Sequence, residues 1–158
     1  MTNRKDRFGG LHFFLPLPIN KLLEVIYTDE TSTETFNKMK KFGDSLGKVG
    51  IKCKDTPGFI ANALSIPNGI EALRLLANGV ATAKDIDLAL KVGFLYPLGP
   101  FELFDLVGLD TNLHILNIWS KRNPGKDITP QIKILEKLVA QGKLGVKTGE
   151  GFYRYSKL

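Results

Sequence analysis

His12 lies between Leu11 and Phe13 in a short apolar run closed by Pro16 and Pro18, and a strand there turns its imidazole to the face opposite those neighbours. Glu24 interrupts a second apolar run, Leu22-Leu23-Glu24-Val25-Ile26, where a carboxylate is costly to bury unless something pairs with it. A His on one strand facing a Glu on its neighbour makes one of two things. It is a satisfied buried ion pair, or it is a general base whose carboxylate fixes the imidazole tautomer and stabilises its protonated form. The residues alone leave both readings open. Asn62 follows Pro57-Gly58-Phe59-Ile60-Ala61 and falls in the first turns of a helix. Its amide there orients a polar ligand where the two halves of the chain meet or, the commoner use, bonds the local backbone.

Other chemistries lack their residues. Gly43, Gly47 and Gly50 miss the G-x-G-x-x-G spacing, and Gly142 to Thr148 fails the phosphate-loop pattern because Val146 precedes Lys147 where Gly is required. There is no Ser or Cys nucleophile signature, and Cys53, in a short apolar strand, is expected to be a buried small hydrophobe. One Cys and two His exclude an intramolecular disulfide and a structural zinc site, so no metal is expected and a reducing compartment is.

The elements that must position these residues differ between the halves. From Leu11 to about Asp55 the order is strand, strand, helix, strand: Leu11–Phe14, Leu22–Tyr27, a helix capped by Thr31, Ser32 or Thr33 and ended by Gly47, then Val49–Cys53. So thin a sheet should leave an edge exposed. From Pro57 onward every segment is helical in pattern. The first carries Ile66, Ile70, Leu73 and Ala77, with Pro67 expected to kink it and Gly79 to end it. Thr82 caps a second helix that stops at Gly93, and Pro100 opens a third with Leu103, Leu106 and Val107 as its apolar side. Gly108 interrupts, Asp110 restarts, and Thr129 caps a last helix facing Ile132, Leu135, Leu138 and Val139 inward. The fold class is mainly α, a small strand–helix–strand piece followed by an all-helical domain, with the boundary between residues 1–55 and 56–158.

Hydrophobic residues make up 43% and charged residues 24% of 158, which excludes disorder and fibrous architectures. The formal charge is +6, but the short basic clusters Arg4-Lys5-Asp6-Arg7 and Lys38-Met39-Lys40-Lys41 lack interleaved aromatics for base stacking, so no nucleic-acid partner is expected. No apolar stretch approaches the length of a membrane span, and Met1 to Arg7 has no signal core behind it.

Taken in order, Arg7-Phe8-Gly9-Gly10-Leu11-His12-Phe13-Phe14, Leu22 to Ile26, Lys54-Asp55-Thr56-Pro57-Gly58-Phe59-Ile60-Ala61-Asn62, Tyr96-Pro97-Leu98-Gly99-Pro100-Phe101-Glu102-Leu103, Val107-Gly108-Leu109-Asp110 and Lys147-Thr148-Gly149-Glu150-Gly151-Phe152-Tyr153 resemble the 3-hydroxyacyl-CoA dehydrogenases along nearly the whole chain. The resemblance implies NAD-dependent oxidation of a 3-hydroxyacyl-CoA to the 3-ketoacyl-CoA in fatty-acid β-oxidation. It makes His12 the general base, Glu24 its orienting carboxylate, Asn62 a positioning residue for substrate and nicotinamide, and Lys147 a cofactor contact. It also implies that residues 1–55 end a Rossmann-type NAD-binding domain, that the helical half is a dimerisation and substrate domain giving a homodimer, and that the compartment is the mitochondrial matrix or otherwise the cytoplasm.

Two departures from the family pattern bear on activity. The strand, Gly-rich turn and helix that hold the pyrophosphate, and the catalytic Ser upstream, do not occur in these residues, so the isolated chain is expected to be inactive. Any targeting peptide would lie upstream. Leu15 stands where the family carries Asn, removing a polar contact near His12, and Ala63 stands where Arg is usual. The alternative reading is a non-catalytic dimerisation or interaction module related to the dehydrogenase.

Overall fold

The computed structural model describes residues 2–156, which carry three strands and six α-helices in two compact units, Met1–Leu64 and Ser65–Leu158. The fold is mainly α, with a small sheet, as the sequence patterns require.

In the first unit, β1 (Gly10–Phe13) pairs antiparallel with β2 (Leu22–Tyr27), which pairs parallel with β3 (Val49–Lys54), giving the order β1-β2-β3. The parallel β2–β3 pair needs a crossover, supplied by α1 (Thr33–Ser45). Ser32, the middle of the three candidate caps, accepts the Thr35 N–H at the start of α1. Strand alternation sends Leu23 and Val25 to one face of β2 and Glu24 and Ile26 to the other, and all four are buried. Gly43 lets α1 come down on the first face, since a Cβ there would collide with the Leu23 side chain. β2 is the central strand, so its residues lose water on both faces, which is why a carboxylate at position 24 must find partners.

The helices of the second unit are α2 (Ala61–Ala77), whose first residues belong to the first unit, α3 (Ala83–Gly93), α4 (Pro100–Val107), α5 (Leu109–Arg122) and α6 (Thr129–Ala140). Leu73, Phe101, Leu109, Leu116 and Leu135 are fully buried in one cluster, and each such side chain contributes about 1.5–3 kcal/mol of burial. Pro67 lies inside α2, and the helix continues past it to Ala77. Gly108, at φ 102°, ends α4 and leads directly into α5, so Asp110 sits in the first turn of α5 rather than capping it.

Two sequence expectations are corrected here. Thr129 is not a cap: it is the first residue of α6, and its N–H donates to Asp127 Oδ1. The inward side of α4 is not Leu103, Leu106 and Val107, which are 42%, 53% and 45% exposed; it is Phe101, Phe104 and Asp105. The helix has two apolar sides, and the two Phe rings pack on each other and on Phe152, which selects the side that turns inward.

Candidate active site

His12 and Glu24 are Cα partners in the β1–β2 register, so their side chains project from the same face of the sheet. His12 Nδ1 lies 2.7 Å from Glu24 Oε2. The other Glu24 oxygen, Oε1, accepts the backbone N–H groups of Ile60 (3.0 Å) and Ala61 (2.8 Å), where α2 begins. Those are among the N–H groups that an α-helix leaves without internal partners, and a carboxylate also answers the partial positive charge there. Glu24 is thus wholly buried, with both oxygens bonded.

Burial pushes the Glu24 carboxyl up, but the bond to His12 and the two backbone N–H groups outweigh it and leave the carboxyl below its ordinary range. An ionised carboxylate only accepts, so Nδ1 carries a proton, and in the neutral ring the lone pair is on Nε2. The His12 side chain is 31% exposed, so this ring, unlike its carboxylate, is reachable from outside the fold. Phe14 and Phe59 pack against it as tilted rings, with centroids 4.6 and 5.3 Å away. Phe59 has the left-handed φ of 49°, a strained conformation for an aromatic residue that here sets its ring beside the imidazole. A cleft of about 280 Å³ adjoins the ring, lined by Phe8, Gly10, His12, Ile26, Asp55 and Phe59 among others.

Asn62 is half-buried in the first turn of α2, one residue beyond the Ala61 N–H that Glu24 accepts. In the second unit, Lys147 Nζ donates to both oxygens of Asp110, at 2.6 and 2.7 Å, and this pairing holds the Asp110 carboxyl below its ordinary range. Leu15 is 80% exposed. No group of His, Cys, Asp and Glu able to hold a metal ion occurs among the described residues.

Sequence reading missed two buried aspartates. Asp87 Oδ1 accepts the Phe101 N–H at 2.8 Å, and Oδ2 accepts the Glu102 N–H at 3.0 Å and the Tyr153 hydroxyl at 2.7 Å. Burial outweighs these bonds and holds its carboxyl above the ordinary range. Asp105 Oδ1 accepts the Phe152 N–H, and Oδ2 accepts the Tyr153 N–H and the Tyr155 hydroxyl, all at 2.9 Å. Both phenols are pushed up, by burial first and then by these acceptors. The signal was available: Asp105 interrupts an apolar stripe just as Glu24 does.

The pattern of the 3-hydroxyacyl-CoA dehydrogenase C-terminal domain matches residues 58–155, and that of the 3-hydroxyacyl-CoA dehydrogenase NAD-binding domain matches residues 1–56. The mitochondrial hydroxyacyl-coenzyme A dehydrogenase of Rattus norvegicus is 53% identical over 154 residues, which are 98% of this chain and 49% of the relative. The 3-hydroxybutyryl-CoA dehydrogenase of Clostridioides difficile is 40% identical over 156 residues, 99% of this chain and 55% of the relative. The crystal structure of the (S)-3-hydroxybutyryl-CoA dehydrogenase of Ralstonia eutropha superposes with a TM-score of 0.83 at 38% identity, over 99% of this chain and 55% of that one. The chain therefore spans about half the length of the relatives it matches. Two family patterns that together span nearly all of its residues establish that the chain belongs to the 3-hydroxyacyl-CoA dehydrogenase family.

Proposed function

We propose that this chain supplies the acid–base half of the active site, and the helical domain, of an NAD-dependent 3-hydroxyacyl-CoA dehydrogenase acting in fatty-acid β-oxidation. The observation that carries the reading is the His12–Glu24 pair: a reachable imidazole held at 2.7 Å by a wholly buried carboxylate whose other oxygen is bonded to the backbone. A carboxylate so fixed holds the proton on Nδ1 and leaves Nε2 to accept the proton of the substrate 3-hydroxyl. As that proton transfers, the C3–H electron pair leaves as hydride and the C3–O bond becomes the ketone. The imidazolium that forms is stabilised by Glu24, and in the reverse direction it returns the proton to the oxygen.

NAD, when bound, accepts the hydride. The residues present fit one end of it. The cleft of about 280 Å³ beside His12 is at the small end for a ligand site and is walled by Phe8 and Phe59, which suits a flat ring. These residues include no glycine-rich loop for the pyrophosphate. Asn62 would position substrate and nicotinamide, and Lys147 would contact the cofactor. The domain boundary in this reading falls at residue 55.

Two finer proposals complete the reading. The chain forms a homodimer through its helical unit, where Val92, Phe94 and Leu95 at the end of α3 are 68%, 70% and 86% exposed, a concentration of apolar surface that marks an interaction site. Its compartment is the mitochondrial matrix, as the names of mammalian relatives such as the rat protein support. No helix among the described residues is long and apolar enough to cross a membrane.

The test is NADH oxidation with acetoacetyl-CoA by the purified chain, beside His12→Ala and an NADH titration followed by fluorescence. Turnover that His12→Ala abolishes supports the reading, and turnover that survives it removes His12 as the base. Neither turnover nor NADH binding is the result expected of the chain alone, since these residues include no glycine-rich loop. Turnover restored by adding the NAD-binding half of a relative then supports the reading, and failure to restore it assigns the chain to the second reading, a non-catalytic dimerisation module, which the exposed apolar surface favours.

A further inference from the structure

Lys147 stands on a C-terminal segment with almost no regular structure, a single 3-10 turn Val146–Thr148 followed by bends, yet its ammonium is fixed on one carboxylate. A long exposed side chain on a loop ordinarily loses too much freedom to be held so. Something must make this loop rigid. Two buried aspartates anchor it: Asp87 accepts the Tyr153 hydroxyl, and Asp105, wholly buried in α4, accepts the Phe152 N–H, the Tyr153 N–H and the Tyr155 hydroxyl on its two oxygens.

The fit leaves no slack. A Cβ on Gly151 would collide with the Asp105 carboxylate, and a Cβ on Gly145 with the Asp105 backbone, so the loop lies against this one residue at both ends of its turn. Gly145 also has a φ of 97°, which glycine alone adopts without strain. Between them, the Gly145 N–H donates to Glu150 O at 2.8 Å, and the Thr148 hydroxyl takes the Leu144 N–H at 2.9 Å. Lys147 therefore projects from a turn pinned on both sides. Its stem passes over Gly108, where a Cβ would lie 3.0 Å from Nζ and 3.2 Å from Cε, and reaches Asp110 two residues on. Asp105 lies in α4, Gly108 joins α4 to α5, and Asp110 lies in the first turn of α5, so the residue that pins the loop and the residues that receive its lysine stand close together in one stretch of chain.

We propose that Asp105 is a positioning residue for Lys147, clamping residues 145–155 so that the ammonium is presented at a fixed point beside Asp110 for an anionic ligand group. The ligand part rests on the reading of Lys147 as a cofactor contact; the positioning part does not. Nothing in the sequence links positions 105 and 147.

The experiment measures labelling of Lys147 in the full chain by an amine-reactive ester, by peptide mass spectrometry, relative to the exposed Lys84 in the same sample. Asp110→Asn removes the ion pair and sets full scale. Asp105→Asn places an amide where two donors point, and is expected to raise the Lys147 to Lys84 ratio about threefold, the scale set by loss of an exposed ion pair. Circular dichroism confirms that the helices remain. A folded Asp105→Asn with unchanged labelling overturns the proposal, and so does Asp110→Asn without effect, since the pair would then not hold the ammonium. If Asp105→Asn fails to fold, Tyr155→Phe decides, because it removes one of the three clamp bonds and spares the core: a raised ratio supports the clamp and an unchanged one overturns it. Protection of wild-type Lys147 by NAD tests the ligand separately. No protection, with Asp105→Asn still responsive, removes the cofactor reading and leaves the positioning role standing.

Discussion

His12 and Glu24 are opposed across two antiparallel strands with Nδ1 and Oε2 2.7 Å apart, and the carboxylate that holds the imidazole is also the group that receives the first N–H donors of α2. One buried side chain thus satisfies a helix start and fixes an imidazole. Removing it breaks both, whereas removing the His breaks one.

Glu24→Ala is accordingly expected to cost more stability than His12→Ala. The first leaves the Ile60 and Ala61 N–H groups and the imidazole without their acceptor, about 3–5 kcal/mol for breaking a buried charged network. The second leaves one carboxylate oxygen unpaired beside a partly open ring, about 1–3 kcal/mol. Urea unfolding of the two variants checks the order. In an active enzyme, Glu24→Gln should lower kcat by about 10²- to 10⁴-fold through loss of the tautomer.

The lowered Glu24 carboxyl has a pH signature. Its folded value lies below the ordinary 4.5, so the unfolded chain takes up this proton first. The stabilisation is therefore present in full above the ordinary value and is lost as pH falls through the folded one. Urea midpoints measured from pH 6 down to pH 3 should fall more steeply for the wild type than for Glu24→Gln, and parallel curves would count against the assignment.

Asp87 closes the start of α4, and Gly99 lies against its carboxylate. Asp87→Ala is expected to destabilise the helical unit by about 2–4 kcal/mol, since two backbone donors and the Tyr153 hydroxyl lose their acceptor. Gly99→Ala should destabilise by displacing the same carboxylate. Thermal melts followed at the helical band check both; an unshifted Gly99→Ala would show that the contact is slack.

The proposed dimer surface makes a prediction of opposite character. Val92→Asp and Leu95→Asp alter side chains that are 68% and 86% exposed, so each should change the stability of a single chain by no more than about 0.5 kcal/mol. Each should nevertheless shift the mass measured by scattering from two chains toward one. Unchanged mass in both variants would place the interface elsewhere.

Much of the fold was legible in the residues because local rules decide it. The apolar runs around His12 and Glu24, the capping stretch Thr31 to Thr33, the Pro100 start and the Gly108 break each specify an element within a few neighbours, and the structure follows them. The pairing of His12 with Glu24 was also foreseeable, since a carboxylate in a central strand must find a partner. What tertiary structure alone decided is everything that depends on which of two allowed faces turns inward. In α4 both sides are apolar, and only packing against Phe152, with the backbone donors of Phe152 and Tyr153, selects Phe101, Phe104 and Asp105 over Leu103, Leu106 and Val107. The same holds for Glu24: its second function, receiving the N–H groups of Ile60 and Ala61, joins positions 36 and 37 residues apart, and no periodicity encodes a contact of that range. Local propensity acts over a turn or a strand, while burial of charge is settled by whichever donors the folded chain brings near.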